Sequence, residues 1–428
     1  MRVLRVQGRA LRAAAIGCAA SLLALGAVGC GDDNTTTSTG SGGSGASAAT
    51  TTASAAKKPA GTPYKLAMMD DDPTQPEPDL FASAQASVEQ INAAGGVNGR
   101  PLSIEHCGTQ VNQNAAAACA RKLAADSSII ATTGNFMANG EGATPLLEKS
   151  GLASLGNFAT QPDEYSCQSC FPMGYTSLGA PLGAVMGLSD AAKAKKIGML
   201  FIDVPAARSY VQLIQGALKA SGRPAELSKV IFVPRGATSY AGVLAQFSSA
   251  NVDGIAVGIP AVMAQAFLRA VGQQGYDKPI GVPLSTISLT TLSKLPPPST
   301  KNLVLNSMYN RTGALYDQIL KAQGDKNVEV GNDEAINAYL AVQLFKKIVE
   351  GKPDIDRKGI VAAAGGLAPF NWDGLTADID YAKAQTFLQG GFKRLTPSIW
   401  YYKYAGDLNV EPFVSGNPAF DLFKAPSS

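Results

Sequence analysis

The chain has 428 residues, a formal net charge of +3 and 46% hydrophobic residues, enough length and apolar content for two separate cores. Four basic residues, Arg2, Arg5, Arg9 and Arg12, crowd the N-terminus, and without them +3 becomes −1. No Lys/Arg run or basic patch then remains of the kind a phosphate backbone requires, so nucleic-acid binding is excluded. Beyond the N-terminus nothing approaches 18 unbroken apolar residues, which excludes a multispan membrane protein.

The N-terminal arginines precede an apolar stretch from Ala13 to Val28, and Ala27-Val28-Gly29 places small residues before Cys30. This pattern predicts a secretory signal over residues 1–29, too short for a comfortable membrane span. The ending Ala27-Val28-Gly29-Cys30 resembles a bacterial lipobox, which implies that Cys30 becomes the lipidated first residue of the mature chain. The alternative is ordinary cleavage nearby. Residues 30–61 are rich in Thr, Ser, Gly and Ala without apolar periodicity, so they are expected to form a flexible tether.

From residue 62 onward strands and helices alternate. Tyr64 to Met69 reads as a first strand, followed by an acidic, proline-rich loop over 70–78. Leu80, Phe81, Ala84, Val88 and Ile91 recur at three- and four-residue steps, giving one apolar helix face. Gly95-Gly96 and Asn98-Gly99 are turn signals, and Leu102 to His106 alternates as a strand. Helix 114–126, strand 128–133, loop 134–140, helix 141–149, strand 152–155 and loop 156–162 complete a β-α-β-α-β-α-β series. Such alternation predicts a parallel, doubly wound sheet, with ligands outside the carboxyl ends of its strands. A second series repeats the pattern with helices 177–192, 207–220, 238–249 and 261–274 and strands 196–202, 230–233, 254–257 and 280–283. Strand 302–305 and Met308-Tyr309 read as a return crossing, helix 333–350 follows, and residues 398–404 alternate as a last strand.

Four cysteines remain after Cys18 and Cys30, and four allow three pairings. Outside the membrane pairing is the default; Cys107–Cys119 and Cys167–Cys170 are expected, with a redox or metal role for Cys167-Gln-Ser-Cys170 as alternatives. The only histidine, His106, argues against a zinc cluster and against a Ser-His-Asp triad. There is no phosphate loop, nucleophile elbow or zinc-protease motif, so no catalytic residue, cofactor or metal is assigned.

The turn Ile91-Asn-Ala-Ala-Gly-Gly-Val-Asn-Gly-Arg-Pro101 resembles the "IN-x-x-GG-x-x-GR" signature of type I periplasmic binding proteins, the branched-chain-amino-acid-binding kind. Pro369-Phe-Asn-Trp-Asp373-Gly is similar to a turn of the same family, and the resemblance runs from about Thr62 to the C-terminus. It implies two α/β lobes, expected at 62–176 with 309–365 and at 177–308 with 366–428. A multi-crossing hinge would join them, and a cleft between them would capture a solute for an ABC importer. A sensor module serving a membrane receptor is the first alternative, an enzyme on the same scaffold the second, and a monomer is expected. In the relatives a serine after the third strand holds the ligand carboxylate with nearby backbone N–H groups, and Ala138 falls at its position; their next loop offers a backbone carbonyl and a threonine, where Phe158 and Thr160 fall. The relatives' second-lobe tyrosine is absent from Asp203-Val-Pro-Ala206, and their acidic partner is absent from Pro283 to Ser288. A buried ammonium without a carboxylate is costly, so a free amino acid fits poorly. The expected ligand-binding set is Asp72, Asn135, Phe136, Ala138, Asn139, Asn157, Phe158, Thr160, Ser285 and Ser288, with Thr286 beside them. Amides, hydroxyls and aromatic faces point to a neutral, amide-like or aromatic solute.

Overall fold

The computed structural model describes residues 58–72, 80–383 and 396–426, with residues 205 and 206 described in backbone only. The expected signal, Cys30 and nearly all of the tether lie outside the described residues.

The first lobe is built on β1 (Tyr64–Asp70), β2 (Leu102–Gly108), β3 (Ile129–Thr133), β4 (Ala153–Leu155) and β5 (Cys170–Phe171), all parallel in the order β2-β1-β3-β4-β5. β1 is apolar on both faces, as a strand covered on both sides must be. Leu66 and Met68 join one core, while Ala67 and Met69 join another beneath α2 (Gln113–Ala125) and α3 (Ala143–Lys149). The first core is completed by α1 (Leu80–Ala93) and, later in the chain, by α11 (Asp333–Val349), which packs along it. Ile336, Leu340, Leu344 and Ile348 of α11 are fully buried. Each such side chain stabilises the fold by about 1.5–3 kcal/mol.

The second lobe begins with α5 (Thr176–Asp190), buried along nearly its whole length. Its sheet has the order β12-β11-β10-β9-β8-β6-β7. The parallel part comprises β6 (Lys196–Ile202), β7 (Glu226–Val233), β8 (Gly254–Gly258), β9 (Ile280–Pro283) and β10 (Leu303–Ser307). β11 (Ser398–Gly406) and β12 (Asn409–Pro412) extend it antiparallel, and β13 (Phe420–Asp421) pairs with β11. α5 covers one face; α7 (Ala241–Ser249) and α8 (Ala261–Gln274) cover the other, where Phe247, Phe267 and Leu268 meet Leu200 and Val257. α6 (Pro205–Ala220) lies on the α5 side.

Both parallel sheets share one strand order, the second strand lying outside the first and the rest following on the other side. The order therefore reverses between β1 and β3 and between β6 and β8, and ligands of open parallel sheets settle at such reversals. The chain goes from β5 of the first sheet to α5 on the second across residues 172–175, from β10 to α10 (Ala314–Gly324), which packs on α1, across 308–313, and from α12 (Arg357–Gly365), which packs on β3 and β4, back to β11. The expected pairs Cys107–Cys119 and Cys167–Cys170 are both bonded, at Cα separations of 5.9 and 5.4 Å. Among the described residues no helix is long and apolar enough to cross a membrane.

Candidate functional site

The two loops at the carboxyl edge of the first lobe open on glycines that a side chain could not replace. Gly134 and Gly156 both have left-handed backbones, with φ of 65° and 61°. A Cβ on Gly134 would stand 3.2 Å from Ala338 Cα, and one on Gly156 would stand 2.6 Å from Ala341 Cβ. The flank of α11 thus sets how closely both loops approach the sheet. Asn337 on the same helix donates from Nδ2 to the Gly156 carbonyl at 2.5 Å. Backbone bonds then stitch the edge together: Phe136 N–H to Met69 O and Phe158 N–H to Asn135 O, each 2.9 Å.

The expected site residues divide sharply by what their polar atoms already do. Asn135 is buried and fully engaged: Oδ1 accepts from Met69 N–H at 3.0 Å, and Nδ2 donates to the Thr132 and Ser154 hydroxyls at 2.9 Å each. It ties three strand ends together. Asn157 is equally buried, at 2% exposure, yet neither its Oδ1 nor its Nδ2 finds a partner among the described residues. Phe136 and Phe158 form a tilted pair with ring centroids 5.9 Å apart. Ala138 and Asn139 are exposed, and Asn139 donates to Val111 O at 3.3 Å. Thr160 donates its hydroxyl to Met137 O, and Gln161 Nε2 donates to Ala138 O at 2.9 Å, so the two loops are cross-linked. Asp72 is exposed, its N–H donating to Asp70 Oδ1 at 3.1 Å.

Two buried carboxylates outside the expected ligand-binding set, Asp71 and Glu164, organise this edge. Asp71 accepts from the Thr109 hydroxyl at 2.5 Å, Val111 N–H at 3.2 Å and Ala138 N–H at 2.7 Å. Burial pushes its carboxyl above the usual range despite these donors. Glu164, in the short helix α4 (Pro162–Ser166), accepts from Thr160 N–H at 2.8 Å and Gln161 N–H at 3.0 Å through one oxygen. Burial raises its carboxyl to about 7, with Asp163 next door adding to the shift. Period two was the signal for Asp71, since it shares a sheet face with Ala67 and Met69. The Gln161-to-Glu164 spacing at a helix start was the signal for Glu164.

On the second lobe, Ser285 and Ser288 lie at the end of β9, both buried, with Thr286 half-buried between them. The Ser285 carbonyl accepts from Asn332 Nδ2 at 3.2 Å. Ser288 caps α9 (Leu289–Ser293) and donates to Glu329 at 2.6 Å. Glu329, 41 residues further on, also accepts from the Thr291 hydroxyl at 3.0 Å and pairs with Lys294 at 3.8 Å, so its carboxylate is engaged within the lobe. Asp203 is exposed and paired with Arg208 at 2.7 Å.

Between the lobes lies a buried ion pair. Arg311 Nη2 meets Asp333 Oδ1 at 2.5 Å with both side chains fully buried. Asp333 also accepts from the Ser307 hydroxyl at 2.7 Å, Met308 N–H at 2.9 Å and the Tyr175 hydroxyl at 3.2 Å. Arg311 reaches the Tyr316 hydroxyl at 2.9 Å, and its N–H donates to the Tyr402 hydroxyl at 2.8 Å. Two of the interlobe passages and the start of α11 are thereby tied to one another.

Two α/β lobes of matching strand order, with their site loops at the strand reversals and a buried hinge, define a two-lobed binding fold. The sequence profile described as "Periplasmic binding protein" matches residues 72–390. The chain belongs to that family. No curated protein sequence matches the chain. Solved structures do. One is a branched-chain amino acid transporter substrate-binding protein from Streptococcus pneumoniae in complex with isoleucine, 16% identical, covering 82% of this chain and 98% of its own, with a TM-score of 0.64. Another is a fatty acid ABC transporter substrate-binding protein from Thermomonospora curvata, 16% identical, covering 86% and 95%, with a TM-score of 0.67. A third is an ABC transporter solute-binding protein from R. palustris in complex with 4-hydroxybenzoate, 14% identical, covering 86% and 98%, with a TM-score of 0.64. At these identities the likeness establishes the fold and leaves the solute open.

Proposed function

We propose that the protein captures a small neutral solute, amide-bearing or aromatic, in the cleft between its lobes and delivers it to an ABC permease. It would act as a monomer, outside the cell membrane and held there through a lipidated Cys30. The lobes would divide near residues 176, 308 and 365. Asn157 carries the reading. A buried carboxamide with both ends unpartnered is costly unless something else satisfies it. A ligand amide or hydroxyl does so, and the Phe136–Phe158 pair offers it an apolar face. Asn135, whose amide is consumed within the lobe, serves to fix the loop. The structural neighbours handle solutes as different as isoleucine, fatty acid and 4-hydroxybenzoate, so the scaffold accommodates changes of guest. Capture would proceed by closure, since a ligand touching both lobes favours the arrangement that gives it both sets of contacts.

Native mass spectrometry of the protein as purified tests this. A retained neutral small molecule, lost from Asn157→Leu, is the expected result. Stabilisation by free α-amino acids alone would overturn the neutral-solute reading.

A further inference from the structure

Resting on the solute-binding reading above, we infer that Asp71 and Glu164 are specificity-determining residues: their carboxylates occupy the backbone donors of the first-lobe edge and so exclude solutes that carry a carboxylate there.

The donors concerned are neighbours. Ala138 N–H and Thr160 N–H lie on loops joined by the Gln161 amide, which reaches Ala138 O at 2.9 Å, and by the Thr160 hydroxyl on Met137 O. Both loops follow adjacent strands, β3 and β4, at the carboxyl edge. Free N–H groups converging at such an edge would make an anion site. Here each is already spent on an acid of the chain itself. Ala138 N–H donates to Asp71 at 2.7 Å and Thr160 N–H to Glu164 at 2.8 Å. Asp71 follows β1, so the Asp71–Ala138 bond spans the strand reversal, where a ligand would sit.

Occupancy and charge act in the same direction. A carboxylate arriving at this edge finds its hydrogen-bond donors taken and acidic side chains behind them. Residues 70–72, 134–140 and 156–161 contain no lysine or arginine to offset the like charge, and His106 is engaged with Asp70 at 2.7 Å. Neither acid is an incidental surface group, for Asp71 is 2% and Glu164 4% exposed. A protonated Glu164 keeps an acceptor oxygen, so the donors stay occupied in either form. A primary amide or a hydroxyl avoids the charge conflict and turns to Asn157 instead.

The test uses matched pairs of carboxylic acids and their primary amides, benzoate and benzamide among them, with thermal shift and calorimetry on the full mature chain. The wild type should be stabilised by amides and not by the corresponding acids. Asp71→Ala and Glu164→Ala free the N–H groups and should each raise affinity for acids by about tenfold or more. Asp71→Asn and Glu164→Gln keep an acceptor oxygen on the same donors and should bring a smaller gain. Thermal melts establish that each variant folds. A crystal of the double alanine variant grown in acetate should hold the acetate carboxylate on Ala138 N–H and Thr160 N–H. Folded alanine variants that stay indifferent to acids, while the wild type still takes amides, would sink this inference alone. A wild type stabilised by acids as well as by amides would also sink it. A wild type stabilised by no member of any pair would sink the solute-binding reading and this inference with it.

Discussion

Asn157 brings two hydrogen-bonding atoms into a buried setting and satisfies neither within the described chain. Unmet desolvation of this kind costs about 1–3 kcal/mol. Asn157→Leu, similar in shape, should therefore raise the melting temperature of the empty protein while weakening solute capture at least about tenfold. Calorimetry and thermal melts on the same samples read both effects; a variant both less stable and unchanged in binding would show the amide to be structural. Glu164 makes a separate prediction about pH. Its folded carboxyl titrates at about 7 against an ordinary 4.5. Across that interval the folded chain holds a proton that the unfolded chain has released, so stability falls as pH rises from 4.5 to 7. Asp71 and Asp163, also raised by burial, act with the same sign. Glu164→Gln should flatten the decline by at most about 3 kcal/mol, read from urea melts at several pH values. An unaltered slope would place the titration elsewhere.

At the scale of elements, the buried Arg311–Asp333 pair holds the passage after β10 to the first turn of α11. Arg311→Met leaves Asp333 buried without its cation and should cost about 3–5 kcal/mol in urea unfolding, with Arg311→Met/Asp333→Asn recovering a good part. A single variant as stable as the wild type would mean that water reaches the pair. How much of this architecture was legible in sequence follows from element length and periodicity. Strand Lys196–Ile202, helix Ala261–Gln274 and strand Ile280–Pro283 fell at the expected residues, since each has a long apolar pattern or clear punctuation. β5 escaped notice because two residues carry no period, and its place is set by pairing with β4. α10 escaped because its buried set is only Tyr316, Ile319 and Gln323. Glu329 reaches the β9 loop across 41 residues of chain, a distance over which no local pattern speaks. The site loops themselves were placed by the carboxyl-edge rule. Which of their amides were already spent depends on partners such as Met69 and Asp71, and only coordinates show those.

For the whole molecule, the two disulfides make unequal contributions. Cys107–Cys119 closes a 12-residue span and Cys167–Cys170 a 3-residue span. In the chain-entropy view the longer loop constrains the unfolded state more, so Cys107→Ser/Cys119→Ser should cost about 2–4 kcal/mol and the other pair less. Equal losses in chemical unfolding would argue that Cys167–Cys170 acts through the loop it shares with Glu164. Solute closure makes a prediction at the same scale: small-angle scattering should show a smaller radius of gyration once the retained solute is added back to stripped protein. An unchanged radius would rule out closure.

The course of α11 has a mechanical consequence. Its first turn is fastened to the second lobe, Asp333 N–H to Leu284 O at 2.9 Å and Asn332 to Ser285 O at 3.2 Å. Its flank then bears on Gly134 and Gly156 of the first. Seventeen helical residues make a rod about 25 Å long. A rod pinned at one end and seated against two loops near its middle is built as a lever. A tilt of one half, were it to occur, would be felt under both loops in a single stroke.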